Sequence, residues 1–361
     1  MFERICTLEN LFTSHTLAQL DNRYKRKICA FTYALEEHLF QLRFEMIRGL
    51  YHPRPYTYFT LHDPKTRAIA APDIRDRVVQ HALVSVIQPL FEKQFIYDTY
   101  ACREGKGTHF AASRLKRFLM AARCAYGKDT PIYVLQCDIH KFFQSISWDI
   151  LLAIIGKTVS CPRTMTLITS IVTTHQSAQT LHHQDDVQLS LFTQGCPSFQ
   201  ISISMKNRTE LPIGNLTSQL FANIYLNELD HFIKDTLRIR YYARYMDDFL
   251  IIHPDKAYLK NLQQQINVFL QKTLHLTLHP KKLTIKNVST GVSFVGYRVF
   301  YDHVLVRGAT LRRIERNCRS KVKQLKQGTL TAQKLVETKA SILGHFKHAH
   351  TYGLMKRLFG T

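Results

Sequence analysis

Acidic residues are scarce in this sequence: 27 Asp and Glu stand against 49 Lys and Arg over 361 residues, a formal net charge of +22. An imbalance of that sign suits a polyanionic partner, because each phosphate neutralised releases condensed counterions. An anionic membrane surface is the other partner that charge alone admits. Long apolar runs are also missing. No stretch approaches the roughly 20 residues that span a bilayer. The opening Met1-Phe2-Glu3-Arg4-Ile5-Cys6 lacks the apolar core of a signal peptide. The eight cysteines are scattered, with no CxxC pair and no His at zinc-ligand spacing. A reduced, soluble, intracellular chain is the expectation. There is no internal repeat and no Gly/Ser linker, so the regions read as subdomains of one unit. With 45% hydrophobic residues, the chain belongs with packed globular proteins rather than disordered ones.

What is present is a succession of short periodic segments. Leu17, Leu20, Tyr24, Ile28, Phe31, Leu35, Leu39 and Leu42 recur at helical spacing, so residues 1–50 read as mostly helical. Tyr51-His52-Pro53-Arg54-Pro55 ends that pattern. Two strands, 56–61 and 67–71, flank the turn Asp63-Pro64-Lys65-Thr66. An amphipathic helix over 75–91 follows. The segment 131–138 is a short, mostly apolar strand that ends on Asp138. Helices are predicted over 148–159, 217–234 and 257–274, strands over 239–243 and 249–252, and one further strand over 292–301. The Gln-, Ser- and Asn-rich stretch from about 177 to about 210 reads as an irregular insertion with a hairpin. From Leu311 the chain is basic and helical.

The chemistry gathers at three acids. Tyr245-Met246-Asp247-Asp248 sits between apolar strands, and adjacent carboxylates at a hairpin turn are costly unless a cation neutralises them. A third carboxylate, Asp138, closes another strand. Were the two strands neighbours, the three acids would converge and hold two divalent ions about 4 Å apart. Mg²⁺ fits, since it prefers carboxylate, water and phosphate oxygens. An Asp-Asp pair in a solvated turn beside an unrelated strand-end Asp is the plainer alternative.

Tyr245-Met246-Asp247-Asp248 resembles the catalytic motif of the reverse transcriptases, and further blocks match in the family's order. They are Arg67-Ala68-Ile69 with Asp73 to Gln80, Tyr100 to Thr108, Asp138-Ile139-His140-Lys141-Phe142-Phe143, Leu278 to Leu283, and Phe294-Val295-Gly296-Tyr297. The likeness covers roughly residues 35 to 300. Ile213-Gly214-Asn215-Leu216-Thr217-Ser218-Gln219 resembles the corresponding block of diversity-generating retroelement enzymes, which carry Ile-Gly and Ser-Gln where most relatives have Gln-Gly and Ser-Pro.

The resemblance implies an α+β, right-hand polymerase fold. Residues 1–50 would be an N-terminal helical region, 51–130 the fingers, 131–300 the palm (an antiparallel sheet plus helices, with the insertion), and 301–361 a basic helical thumb. It implies an RNA-directed DNA polymerase that copies a template-repeat RNA into cDNA with adenine-directed errors, for mutagenic retrohoming into a target gene. Its partners would be that RNA, the RNA/cDNA duplex, dNTPs and a pentameric basic accessory protein. No membrane is implied, and the location would be the cytoplasm of a bacterium, with the gene bacterial or phage-borne. Asp138, Asp247 and Asp248 would ligate two Mg²⁺ ions, with the Ile139 carbonyl as a further contact. One ion would activate the primer 3′-hydroxyl and the other would hold the triphosphate. Phe143 would be the steric gate against a ribose 2′-hydroxyl, or else a core aromatic beside Phe142. Arg67 and Lys65 would lie at the incoming nucleotide, with a solvated hairpin as the alternative. Ile213 and Gln219 would line the nucleotide site. Lys281 or Lys282 would protonate the leaving pyrophosphate, or contact phosphate, or be solvated. Phe294, Gly296 and Tyr297 would form the primer grip, or simply pack. A retron-, abortive-infection- or group II intron-type enzyme is the neighbouring alternative, and a non-catalytic polymerase-like RNA-binding scaffold is the distant one. With no zinc-finger, endonuclease or maturase-length extension after the thumb, self-mobility by this chain alone is not expected.

Overall fold

The computed structural model describes residues 1–20, 22–62, 66–182 and 208–359. The N-terminal helical periodicity becomes α1 (Phe2–Ile5), α2 (Leu8–Ala18), α3 (Arg26–Tyr33) and α4 (Leu35–Arg48). The Thr7 hydroxyl caps α2 by accepting from the Asn10 N–H. Next come β1 (Thr57–Leu61), β2 (Arg67–Ala71), α5 (Ile74–Glu92) and α6 (Thr108–Tyr126). The central segment runs β3 (Tyr133–Asp138), α7 (Phe142–Ser145), α8 (Trp148–Gly156), α9 (Pro162–His182) and α10 (Leu216–His231), with a π-helical turn at Phe232–Thr236. Then follow β4 (Tyr242–Tyr245), β5 (Asp248–His253), α11 (Lys256–Thr273), β6 (Thr284–Asn287), β7 (Val292–Phe294), β8 (Tyr297–Val299) and β9 (Val304–Val306). The C-terminal helices are α12 (Gly308–Lys326), α13 (Ala332–Phe346) and α14 (Tyr352–Phe359).

The chain forms two compact units, each assembled from separated segments. The first comprises residues 1–95, 141–230 and 270–276. Its N-terminal helices gather on α5, whose Val78, Val79, Ala82, Leu83 and Ile87 are buried. A buried carboxylate ties the following strap down: Asp76 accepts from the Tyr51 hydroxyl at 2.9 Å and from the Arg54 N–H at 2.8 Å. β1 and β2 pair antiparallel, Leu61 opposite Arg67. The loop ahead of α10 docks on β2, where the Ala70 N–H donates to the Ile213 carbonyl at 2.9 Å. That approach requires Gly214, with φ of +123°. A Cβ there would come within 2.9 Å of both the Ala70 oxygen and Ile69 Cγ2.

The second unit comprises residues 96–140, 231–269 and 277–361. Its centre is a four-stranded antiparallel sheet in the order β4-β5-β3-β6. β3 and β5 are interior strands, which accounts for their nearly continuous apolar runs. One face of the sheet packs against α6 through Val134, Ala243, Leu250 and Ile252, meeting Ala111, Leu115, Phe118 and Leu119 in a shared core. A second, three-stranded antiparallel sheet, β7-β8-β9, joins that core through Val292, Phe294, Tyr297 and Val299. In the C-terminal helices a small separate core gathers Ile342 and Phe346 with Leu311, Ile314, Leu354 and Leu358.

Three expectations need correction. The strand predicted over 292–301 is a hairpin: Val295 (φ +44°) and Gly296 (φ +90°) turn the chain so that Phe294 pairs with Tyr297. Two successive left-handed residues are the conformation of a tight hairpin turn. Of the insertion expected from about 177 to about 210, residues 177–182 belong to α9, and 183–207 lie outside the described residues. The strands around the acidic pair reach closer to it than predicted, so that Asp248 is itself the first residue of β5.

Candidate active site

The acids come together through strand register. β3 and β5 are antiparallel neighbours in which Asp138 lies directly opposite Asp248. β4 pairs with β5 through Tyr245 opposite Asp248, leaving Met246 and Asp247 as a two-residue turn. Met246 takes φ of +54° to close it. Because side chains alternate along strands, Asp138 and Asp248 share the sheet face of Gln136 and Leu250. Gln136 donates through Nε2 to the Ser293 carbonyl at 2.8 Å. That bond fixes the β7–β8 hairpin to the same face, one step along β3 from the acids.

The block Leu278 to Leu283 holds the end of β3. The His140 N–H donates to Thr277 O at 2.9 Å, and the His279 N–H to Asp138 O at 2.7 Å. Ile139 pairs with Leu278 between these two bonds. In an antiparallel ladder that makes the pair a non-hydrogen-bonded one, which turns the Ile139 carbonyl away from Leu278 and toward the β5 side. The same segment delivers Lys282, whose ammonium meets Asp138 Oδ2. Between the two candidate lysines, Lys282 is the one brought to the acids.

Like charges opposite each other across strands are unfavourable, and the site shows the strain. Asp248 is open on its outer edge, yet its carboxyl is pushed up to about 7. Desolvation by the surrounding protein is the main cause, followed by the Asp247 charge and the hydrogen bond with Asp138; Lys282 acts in the opposite sense. All the donors are oxygens: three carboxylates and the Ile139 carbonyl. That set suits a hard divalent cation, and such a charge relieves the penalty on Asp248. As the side chains stand, no group of three His, Cys, Asp or Glu among the described residues has ligating geometry. The Lys282 ammonium on Asp138 Oδ2 would compete with an ion at that oxygen. The residues fit a divalent-ion site by their chemistry.

The other candidates fall in different places. Lys141, at φ +44°, reverses the chain after β3 and starts α7. Phe142 is buried there, whereas Phe143 is half-buried with its ring edge-on to Phe142 at 5.4 Å. Of two adjacent phenylalanines, the second is the one left with an accessible ring. Its carbonyl accepts from the Leu211 N–H at 2.8 Å, linking it to the loop that carries Ile213. Ile213 is half-buried and Gln219 exposed. Arg67 is exposed at the start of β2, and Lys65 lies outside the described residues. Phe294 and Tyr297 are buried in the second unit's core, so these two pack, and the turn Val295–Gly296 between them is the half-buried edge. With Phe143 as a gate, Phe143→Ala should raise ribonucleotide relative to deoxynucleotide use on the order of tenfold, the scale on which one group's fit in a pocket discriminates. Competitive incorporation of the two nucleotides on one template measures this, and an equal loss of both would assign Phe143 to packing.

Arg244 is the functional residue that periodicity misses. It is 1% exposed, and its guanidinium donates to the Met246 carbonyl at 3.1 Å, bracing the acidic turn from behind. Its backbone is pinned too: the Arg244 N–H donates to Asp98 O at 3.0 Å, and its carbonyl accepts from the Tyr100 N–H at 3.2 Å. Asp98 in turn accepts from the Tyr100 hydroxyl and from Arg114 Nε, each at 2.8 Å. The available signal was an arginine inside an otherwise apolar strand, since a lone buried cation needs a polar partner.

Comparison with known proteins gives the following. The family model described as reverse transcriptase (RNA-dependent DNA polymerase) matches residues 62–299. Protein YkfC of Escherichia coli is 24% identical over 292 residues, covering 72% of this chain and 70% of that protein. The group II intron-encoded protein LtrA of Lactococcus lactis is 20% identical over 330 residues, covering 73% of this chain and 49% of LtrA. Among solved structures, an apo telomerase from Candida tropicalis, truncated from its C-terminal domain, matches with a TM-score of 0.48 at 13% identity, over 76% of this chain and 60% of that one. The chain thus spans about half the length of LtrA.

Proposed function

We propose, from the premise that this chain belongs to the reverse transcriptase (RNA-dependent DNA polymerase) family and has its α+β, right-hand polymerase fold, that it copies a template-repeat RNA into cDNA for a diversity-generating retroelement. The observation that carries the polymerase chemistry is the register pairing of Asp138 with Asp248, with Asp247 in the adjoining turn. Asp138, Asp247 and Asp248, with the Ile139 carbonyl, would hold two Mg²⁺ ions. When bound, such ions activate a hydroxyl nucleophile and neutralise charge on a transferring phosphoryl group. The chain's own residues do the rest. Arg244 and Gln136 keep the acids in register with the β7–β8 hairpin. Lys282, released from Asp138, stands ready to give a proton to the leaving pyrophosphate.

The retroelement reading rests on Ile213, just before α10, and Gln219 in its first turn. The Ile213 backbone is anchored on Ala70 of β2, the strand that begins with Arg67. Where relatives carry glutamine, Ile213 has no amide to hold a base pair. One hydrogen bond is worth about 0.5–1.5 kcal/mol, roughly a three- to tenfold change in discrimination. That contributes to mutagenesis without accounting for all of it. Ile213→Gln should therefore lower misincorporation opposite template adenine severalfold and leave the other template bases almost unchanged, as read by deep sequencing of cDNA made on one RNA. An unchanged adenine error rate in a variant that extends normally would remove Ile213 from the mechanism. A group II intron-type enzyme is the second reading, favoured by the likeness to LtrA. Detection of a neighbouring template repeat, variable repeat and accessory reading frame would decide for the first. Partnership with a pentameric basic accessory protein belongs to the first reading alone.

A further inference from the structure

A histidine-rich cavity of about 420 Å³ lies in the second unit, apart from the acids. His109, Ser113 and Lys116 line it from one face of α6, at positions i, i+4 and i+7. Lys347, His348 and His350, from the segment between α13 and α14, close it against Val304 of β9. No carboxylate contributes to its wall. The start of α6 opens beside it. Gly107 provides no side-chain cap, and the first turn carries no acid, so the N–H groups of that turn leave a partial positive charge there.

The imidazoles are arranged around one phenol. His109 stacks on His348 with ring centroids 3.8 Å apart and planes 15° from parallel. Tyr297 Oη lies 2.8 Å from His109 Nδ1, 3.0 Å from His345 Nδ1 and 3.0 Å from the His345 carbonyl. The phenol has one proton. When it donates that proton to the carbonyl, both ring Nδ1 atoms donate to Oη, and each Nε2 is left as the basic site. His345 Nε2 is buried without a hydrogen-bond partner. His350 is committed to the Val304 backbone, 3.2 Å from its carbonyl, and Asp302 to His303 at 2.7 Å.

We propose that this cavity binds one backbone phosphate of a polynucleotide strand and takes up a proton on His109, beneath the stacked His348, as it does so. The idea rests on the polynucleotide-copying reading above for its ligand. Lys116 and Lys347 line the cavity and Arg313 acts on His345 beside it; all three are cationic. Burial lowers the His109 imidazole below the usual histidine range, and His348 lowers it further. Burial likewise lowers His345, followed by His109, His348 and Arg313. A phosphate reverses the sign of that field, so the bound state holds the proton that the free state releases. Binding must then tighten as pH falls through the range just below neutrality. A phosphodiester within a strand gains further from the basic helices on either side, which a free anion does not.

The test is titration of the full chain with a labelled RNA–DNA duplex at fixed salt, at about pH 7.5 and about pH 6. Wild type should bind up to about tenfold tighter per pH unit if one proton is taken up. His109→Gln with His348→Gln should lose most of that pH dependence, and Lys347→Ala, an exposed position, should reduce the salt slope by about one. Should the double variant fail to fold, His109→Gln alone with Lys347→Ala carries the same comparison. Retained pH dependence in the histidine variant, or an unchanged slope and affinity in Lys347→Ala, overturns the proposal. Competition by inorganic phosphate or pyrophosphate as strong as that by duplex also overturns it, by showing a small-anion site. Primer extension by the same wild-type preparation is scored separately. Its absence would remove the polymerase reading, whereas the pH-linked binding stands or falls on the titration.

Discussion

Asp138→Asn and Asp247→Asn should each reduce DNA synthesis on the order of 10³-fold or more while leaving folding and RNA binding in place. The size follows from what the acids do. A divalent ion at a transferring phosphoryl group supplies several kcal/mol of transition-state stabilisation, and about 4 kcal/mol is a thousandfold in rate. An amide keeps the shape of the carboxylate but not its charge, so an ion held by these acids would be lost or displaced. The site also explains why stability should not suffer. Asp138 faces Asp248 across the strand pair, and the Asp248 carboxyl is pushed up to about 7 by desolvation first, then by the Asp247 charge and by Asp138. Removing one of these charges relaxes a repulsion. Asp247→Asn should therefore melt at or above the wild-type temperature, whereas Asp138→Asn sets the same relief against the loss of its pair with Lys282; thermal unfolding without divalent ions measures both. Near-normal extension by either variant would remove these acids from catalysis.

The second large effect concerns salt. α12 has no buried residue, and it presents Arg312, Arg313, Arg316, Arg319, Lys321, Lys323 and Lys326 along its length. Its apolar residues Leu311, Ile314 and Cys318 pack inward on α13 and α14. Such a helix neutralises phosphates without reading bases. Duplex binding that engages about six to ten phosphates should weaken on the order of 10³- to 10⁵-fold between about 50 and about 200 mM salt, with log K linear in log salt. Replacing Arg312, Arg316 and Arg319 by Gln should flatten the slope by about one for each phosphate that is no longer neutralised. A slope near zero in wild type would mean that apolar contacts, not the basic helices, hold the duplex.

The fold and the site were legible in the sequence to different depths. β3 and the β4–β5 hairpin announce themselves because their apolar runs end abruptly on carboxylates, and a costly charge at a strand end has few explanations. β1 and β2 were legible from the turn-forming residues Asp63-Pro64 that punctuate the sequence between them. The long helix α6 is harder to see: its buried face relies on Ala111, Ala112 and Ala122, small residues that periodicity weighs lightly, and arginines and lysines interrupt it. The hairpin at Val295–Gly296 reads as one strand because a β-branched residue occupies a left-handed position, against its own preference. Arg244 carried a signal, a lone arginine in an apolar strand, but not its role. Its value depends on meeting the Met246 carbonyl and the Asp98 backbone, which only the folded chain brings to it. Which lysine reaches the acids was equally a question of three dimensions. The turn from His279 to Lys282 decides for Lys282.

The most direct measurement of the central claim is primer extension by the purified chain on an RNA template annealed to a DNA primer, with Mg²⁺ and each nucleotide class supplied in turn. The account predicts that wild type adds deoxynucleotides in the order the RNA dictates, discriminates against ribonucleotides, and loses both properties together in Asp247→Asn. Template-independent addition, or no extension by a folded protein that still binds the primed RNA, would contradict it.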